Sequence, residues 1–304
     1  ADAVDVATGL TFRGILEAPA GSTVVTPLTT LINKLVEGGE DQVVAQAKVK
    51  SAFGITAGED LTTFDPIDAA LSGGASAASG IEIAALGVAL QNLAVQAGSA
   101  LRGASDVEQG VDSSLTFADA TDAVFRSLSD QISVLPPATE LQASQAQFED
   151  LLVDAAVKAG LGTDAQDHLA PSAGDIANVM LSGLDALDEV SADPIEALRE
   201  LAQTASVLQH EASSDIEAAV EAAAGEAGDV SALSALLASF TGEALDAAIE
   251  AASIGNVSGS LPISVQTIEH VARVAIPSDI GDLSQSERLD VSIEGVGFSP
   301  IDFE

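Results

Sequence analysis

Apolar residues recur at helical spacing along most of this chain, and the clearest stretch follows Thr26-Pro27. There Leu28, Leu31, Ile32, Leu35 and Val36 fall at i, i+3, i+4, i+7 and i+8, one face of a helix. Thr26 offers a capping hydroxyl, Pro27 has the fixed φ that suits a first helical position, and Gly38-Gly39 stops the element. A second helix is predicted from about Gln42 to Phe53, and Asp65-Pro66 repeats the cap-and-proline device to open a shorter one. Gly73 to Gly80 is a small-residue linker into a long apolar helix from Ile81 to near Gly103. Further helices are predicted over about 117–134, 140–159, 173–190, 194–224, 230–240 and 243–252. The connections are short, which favours antiparallel packing of neighbours as a bundle. No fixed-period repeat occurs, so a solenoid is not expected.

The two ends read differently. Val4 to Ala18 alternates loosely, with β-branched and aromatic residues around Gly9 and Gly14, as a short hairpin or two strands would. After Ile254 the chain turns to Gly, Ser and Pro with alternating Val and Ile. Ile263–Val265, Ala272–Ile276 and Leu289–Phe298 suggest extended segments, though Val265 to Val274 also suits a short helix. The expected fold is therefore mainly α: an antiparallel helical bundle with short β segments at both ends. In domain terms this gives a β segment over 1–25, a helical body over 26–253 with any sub-boundary near 136–140, and an extended C-terminal piece over 254–304.

Composition sharpens this. Aromatic residues are 3% of the chain, with no Trp, no Tyr and nine Phe, so a core must be built from Ala, Leu, Val, Ile and those Phe. Cys is absent, which removes disulfides, thiolate metal sites and cysteine nucleophiles together. Ten basic residues face 47 acidic ones, a formal charge of −37. Such a field repels phosphate backbones and anionic lipid, so neither nucleic acid nor a membrane surface is an expected partner. Ile81 to Leu101 is long enough to cross a bilayer with only Glu82 as a charge. Its apolar content is mainly Ala and Gly, and Gln91, Asn92 and Gln96 interrupt it, so a buried central helix is the expectation and a membrane span is not. The opening Ala1-Asp2-Ala3, without Met or an apolar leader, fits an excised piece or a mature product released from a precursor.

Catalytic patterns were sought and not found. The chain has no G-x-x-x-x-G-K, no G-x-S-x-G and no S-x-x-K. Gly295-Val296-Gly297 is followed by Pro300 where a dinucleotide fingerprint needs Gly. His168, His210 and His270 lie far apart, and His210-Glu211 lacks the second His of a zinc-protease helix, with Ser214 in its place. No catalytic residue, organic cofactor or enzyme activity is expected. Carboxylate-rich loops leave calcium as the one candidate ion, with Asp60, Asp65, Asp68, Asp279 and Asp282 as its candidate ligands. No EF-hand loop or Gly-rich nonapeptide accompanies them. Helix caps and solvated turns are the favoured use of these acids, Asp65 and Asp119 in particular being placed at helix starts.

The run from Ala18 to Leu31 (APAGSTVVTPLTTL), then Val49 to Ile55, then Asp60-Leu61-Thr62-Thr63-Phe64-Asp65-Pro66, resembles a helical module of very large secreted bacterial surface proteins, repeat-bearing adhesins of the cadherin-like or RTX kind. The resemblance covers about the first quarter of the chain and implies export, a surface location and calcium dependence. The calcium repeats of that family are missing here. Two functions follow as expectations. One is an extracellular structural or assembly module, a component of a filament, surface layer or adhesin, that binds itself or neighbouring surface proteins through its terminal strands. The other is a helical protein that binds a small apolar ligand, with Gly87, Ala94 and Gly98 leaving room between helices, although close core packing is the favoured use of those three.

Overall fold

The computed structural model describes residues 12–109, 115–141, 143–187, 190–224 and 231–252, all within one compact unit. They form a mainly helical body: α1 (Pro27–Glu37), α2 (Gln42–Ala52), α3 (Pro66–Ser72), α4 (Ala77–Gln109), α5 (Phe117–Val134), α6 (Gln145–Lys158), α7 (Thr163–Asp185), α8 (Pro194–Ser206), a π-helical turn (Val207–Ala212), α9 (Ser213–Ala224), α10 (Ser231–Phe240) and α11 (Gly242–Ala251). The caps expected from the sequence are in place. Thr26 accepts from the Thr29 N–H at 3.1 Å while the Thr26 N–H donates to Thr29 Oγ1 at 2.8 Å, a reciprocal cap ahead of Pro27. Asp65 and Asp193 each accept from two backbone N–H groups of the helix they open, and each precedes a proline.

Helix α4 is the axis of the body. It packs against α1, α3, α5, α6, α7, α8, the π turn and α9, and residues 89–101 are buried without interruption. Ala77–Asp106 has the length and composition of a bilayer-crossing helix, with mean hydropathy 1.4, but here the surrounding helices cover its middle. Small residues make this crowding sterically feasible. A Cβ on Gly103 would stand 2.4 Å from the Glu217 carbonyl oxygen of α9, and one on Gly80 would stand 2.6 Å from the Ala70 nitrogen of α3. Helix backbones can meet at that distance only where one of them lacks a side chain. The core that results is mostly Leu, Ile, Val and Ala, with Phe125 as its largest fully buried side chain.

Three elements differ from the sequence expectation. The first is the N-terminal β segment: among the described residues there is no strand. Residues 12–18 run without regular secondary structure, bending at Gly14, and their backbone groups bond to helix side chains. The Ile15 N–H donates to Thr121 Oγ1 (3.1 Å), the Glu17 N–H to Thr30 Oγ1 (2.9 Å), and Thr29 Oγ1 donates to the Glu17 carbonyl (3.0 Å). Helix hydroxyls thus take the place of a partner strand. Residues 1–11 of the expected N-terminal segment and the whole C-terminal piece, 254–304, lie outside the described residues.

The second is α7, which begins at Thr163 and runs through Pro171, ten residues before the predicted start. An interior proline removes one ladder hydrogen bond, and here Leu169, Ser172, Ala173 and Ile176, buried around it, hold the helix continuous. The third is the helix predicted over 194–224, whose extent holds but whose middle widens into the π turn. Such turns insert one residue into an α-helix and are frequent at functional sites.

The close approach at Gly103 can be tested against an uncrowded glycine of the same helix. Gly103→Ala is expected to cost about 1–3 kcal/mol by forcing α9 away. Gly87→Ala, where the nearest atom beyond the helix is Pro27 Cδ at 3.9 Å, should be neutral or stabilising by about 0.5–1 kcal/mol through helix propensity. Urea midpoints of the two variants would show the opposite signs, and equal signs would remove the steric account.

Candidate functional site

Carboxylates outnumber their partners so heavily that the few basic residues mark where charge is organised. Lys34, whose side chain is 3% exposed, sits 2.5 Å from Glu17, 2.6 Å from Asp122 and 3.3 Å from Glu37, and Asp122 also binds Arg126 at 2.6 Å. Burial works to lower the Lys34 pKa, but hydrogen bonds from Asp122 and Glu17 more than offset it and the ammonium is held above its usual range. The cluster joins the N-terminal segment to α1 and α5. Around Phe117, Arg102 and Arg13 stand 4.7 Å and 5.3 Å from the ring centroid, and Arg102 also pairs with Glu217 at 3.2 Å. Burial raises the Glu217 pKa despite that pairing.

Beside this lies a buried polar seam. Gln91, Asn92, Gln96 and Ser99, the residues that interrupt the apolar pattern of α4, all point into the body. Gln91 donates to the Arg13 carbonyl (2.9 Å), and Gln209 of the π turn donates to Asn92 Oδ1 (2.8 Å). Ser213 donates to the Gln209 carbonyl (2.6 Å) and accepts from Arg13 (2.9 Å). The N-terminal segment, α4 and the π turn are thereby tied by one set of hydrogen bonds. Both amide atoms of Gln96, the Asn92 nitrogen and the Ser99 hydroxyl find no partner among the described residues. The seam is built of amides and hydroxyls, groups that both donate and accept hydrogen bonds.

A groove of about 860 Å³ runs along the N-terminal half of α4. Its floor is apolar, from Ile81, Leu86, Leu90 and Leu93 of α4, Leu128 of α5 and Phe148 of α6, and the described residues at its sides come from the end of α2, from Glu140, Leu141 and Ala143, and from 184–187 and 190–194. This is not where the sequence placed a ligand. A Cβ on Gly98 would meet Thr121 at 3.1 Å, so Gly98 serves the packing of α5, and Ala94 is fully buried. The groove was invisible in the sequence because it forms from six separated stretches of chain.

Three of the five candidate calcium ligands are among the described residues. Asp60 accepts from the Thr62 hydroxyl (2.7 Å) and the Thr62 N–H (3.0 Å), and these bonds, the hydroxyl first, lower its pKa. Asp65 caps α3, and Asp68 is exposed in the first turn of that helix. Among the described residues no three His, Asp or Glu side chains are grouped to hold a metal ion. Asp279 and Asp282, and with them His270, lie outside the described residues. Asp119 stands at the start of α5, where its own N–H donates to the capping Thr116 hydroxyl (3.1 Å) and its carboxylate accepts from that hydroxyl (2.6 Å). His168 is half-buried on α7, while His210 belongs to the π turn and its carbonyl accepts from the Ser214 hydroxyl at 2.8 Å.

Two substitutions separate the polar features. Lys34→Met should cost about 2–3 kcal/mol, less than the loss of a fully buried pair because Glu17 and Asp122 keep some solvent contact. A lysine pKa raised in the folded state contributes stability that is complete below the unfolded value of about 10.4 and is lost as pH rises through the folded one. The native–variant difference in denaturation midpoint should therefore stay constant up to about pH 10 and shrink only above it. Gln96→Leu, replacing an unpaired buried amide, should stabilise the fold, whereas Asn92→Leu should cost about 1–3 kcal/mol by stranding the Gln209 amide. Calorimetry on both variants tests this, and a destabilising Gln96→Leu would mean that the amide is bound. Compared with known proteins, the chain matches no family model, no curated protein and no solved structure.

Proposed function

We propose that this chain is a helical scaffold module of an exported surface protein, acting through protein–protein contacts and without catalysis of its own. One observation carries the reading. Two of the three sequence runs that resemble the surface-protein module, 18–31 and 60–66, close on each other: the Thr23 and Val24 N–H groups both donate to the Thr62 carbonyl, at 2.8 and 3.4 Å. Leu28, Leu31 and Leu61 from the same runs enter the common core. What the resemblance preserves is thus a set of caps, turns and core positions, the grammar of a building block. An antiparallel order of successive helices is the arrangement that its short connections favour.

Partners are proposed to be further copies of the chain or neighbouring surface proteins. The terminal-strand route is narrowed, because residues 15–17 spend backbone hydrogen bonds on α1 and α5. Any route through 1–11 or 254–304 rests on the sequence alone. At a charge of −37, like subunits repel over a Debye length of about 10 Å at 0.1 M salt, so assembly should need screening or a bridging divalent cation such as calcium.

Light scattering on the purified chain at low salt, in molar sodium chloride and in millimolar calcium tests this. Assembly is expected in the last two conditions, with a strictly monomeric particle in all three counting decisively against self-association. A second reading, a small-ligand binding protein, is favoured by the groove of about 860 Å³, whose size suits a small molecule. Native mass spectrometry that shows a retained guest would support it.

A further inference from the structure

The groove has an apolar floor and a rim of a single charge sign. Glu82 on α4, Glu140 in the chain before α6, and Asp185 at the end of α7 are all exposed at its edge, and no Lys, Arg or His is among the described residues that line it. Elsewhere the body places basic side chains against acids, as at Lys34, Lys48, Arg102, Arg126, Lys158 and Arg199. None of the three rim carboxylates takes part in an ion pair among the described residues. Three carboxylates without an ion pair among the described residues thus border a hydrophobic channel of small-molecule size.

Resting on the second reading above, we propose that the groove binds a small cationic amphiphile: an aliphatic chain that ends in an amine or quaternary ammonium. Its chain lies on the floor formed by Leu86, Leu90, Leu93 and Phe148, and its head sits among Glu82, Glu140 and Asp185. The chain gains by leaving water, roughly 0.8 kcal/mol for each methylene fully buried. The head gains from three carboxylates at the edge of a low-dielectric wall, where charges interact more strongly than in bulk water. An anionic amphiphile of the same length pays like-charge repulsion at the same place, and a neutral one gains only the floor. The rim therefore selects the sign of the head while the floor supplies affinity indifferent to it.

Isothermal titration of the whole chain with octyltrimethylammonium, 1-octanol and octanoate, each below its micelle concentration, reads the two contributions separately. The cation should bind about tenfold or more tightly than the alcohol, with octanoate weakest. The triple variant Glu82→Gln, Glu140→Gln, Asp185→Asn should lose that preference. Removing three acids from the exposed face of α11 by Glu243→Gln, Asp246→Asn and Glu250→Gln should keep it, which separates the rim from general attraction to an acidic protein. Ala85→Phe, which fills the channel, should abolish binding of all three probes. Equal affinities for the three, or a rim variant that still prefers the cation, overturns the proposal and leaves the groove as a binding site. No binding by any probe, or binding untouched by Ala85→Phe, removes the groove reading as well.

Discussion

Close approach of helix backbones along α4 is the constraint on which this structure rests. With so few aromatic residues, wide gaps between helices could not be filled, and the chain answers by drawing its helices together. Gly103 against the α9 backbone and Gly80 against α3 are the points of nearest contact, and Ala97, Ala100 and Ala104 continue the same buried side of α4. Small side chains lose little conformational entropy on burial, so a helix rich in them can be surrounded at modest cost. The elements packed around α4 run from α1 to α9, which makes it the helix that most of the others share.

Charge is handled by the opposite device. The acids stay largely at the surface, and the basic residues are spent where a segment must be held in place. Lys34 is the plainest case, an ammonium buried among carboxylates from the N-terminal segment, α1 and α5. Thr29, Thr30 and Thr121 complete that attachment by bonding the segment's backbone directly. A segment outside helix and sheet needs partners for its N–H and C=O groups, and a hydroxyl, which both accepts and donates, serves either. The N-terminal segment is consequently part of the helical body although its residues have β preference.

The seam and the groove occupy neighbouring stretches of the same helix and differ in chemistry. In the seam, amides cross-link α4 to the π turn, and the widened turn is what brings Gln209 opposite Asn92. In the groove, the same helix shows its apolar side to solvent between flanking elements that stop short of covering it. A rigid, crowded α4 supports both, since neither the amide register nor the shape of the channel would persist on a helix free to slide.

The sequence by itself determined most of the helices, their caps and their stops. Thr26-Pro27, Asp65-Pro66 and Asp193-Pro194 act within one helical turn, and the 3.6-residue period records burial of one face. It also determined the charge balance and the burial of the long apolar helix, whose Ala and Gly content favours packing over lipid. Tertiary structure alone decided the rest. Pro171 reads as a break, yet neighbours on both sides of it bury the helix that passes through. Val4 to Ala18 reads as strand, yet the hydroxyls that engage its described end come from α1 and α5, one of them 106 residues away. Gln91 and Asn92 read only as interruptions until Arg13 partners the first and the π turn the second, and the groove has no local signature at all. Local propensity is written in adjacent residues, whereas pairing, crowding and concavity depend on which distant segments the core brings together.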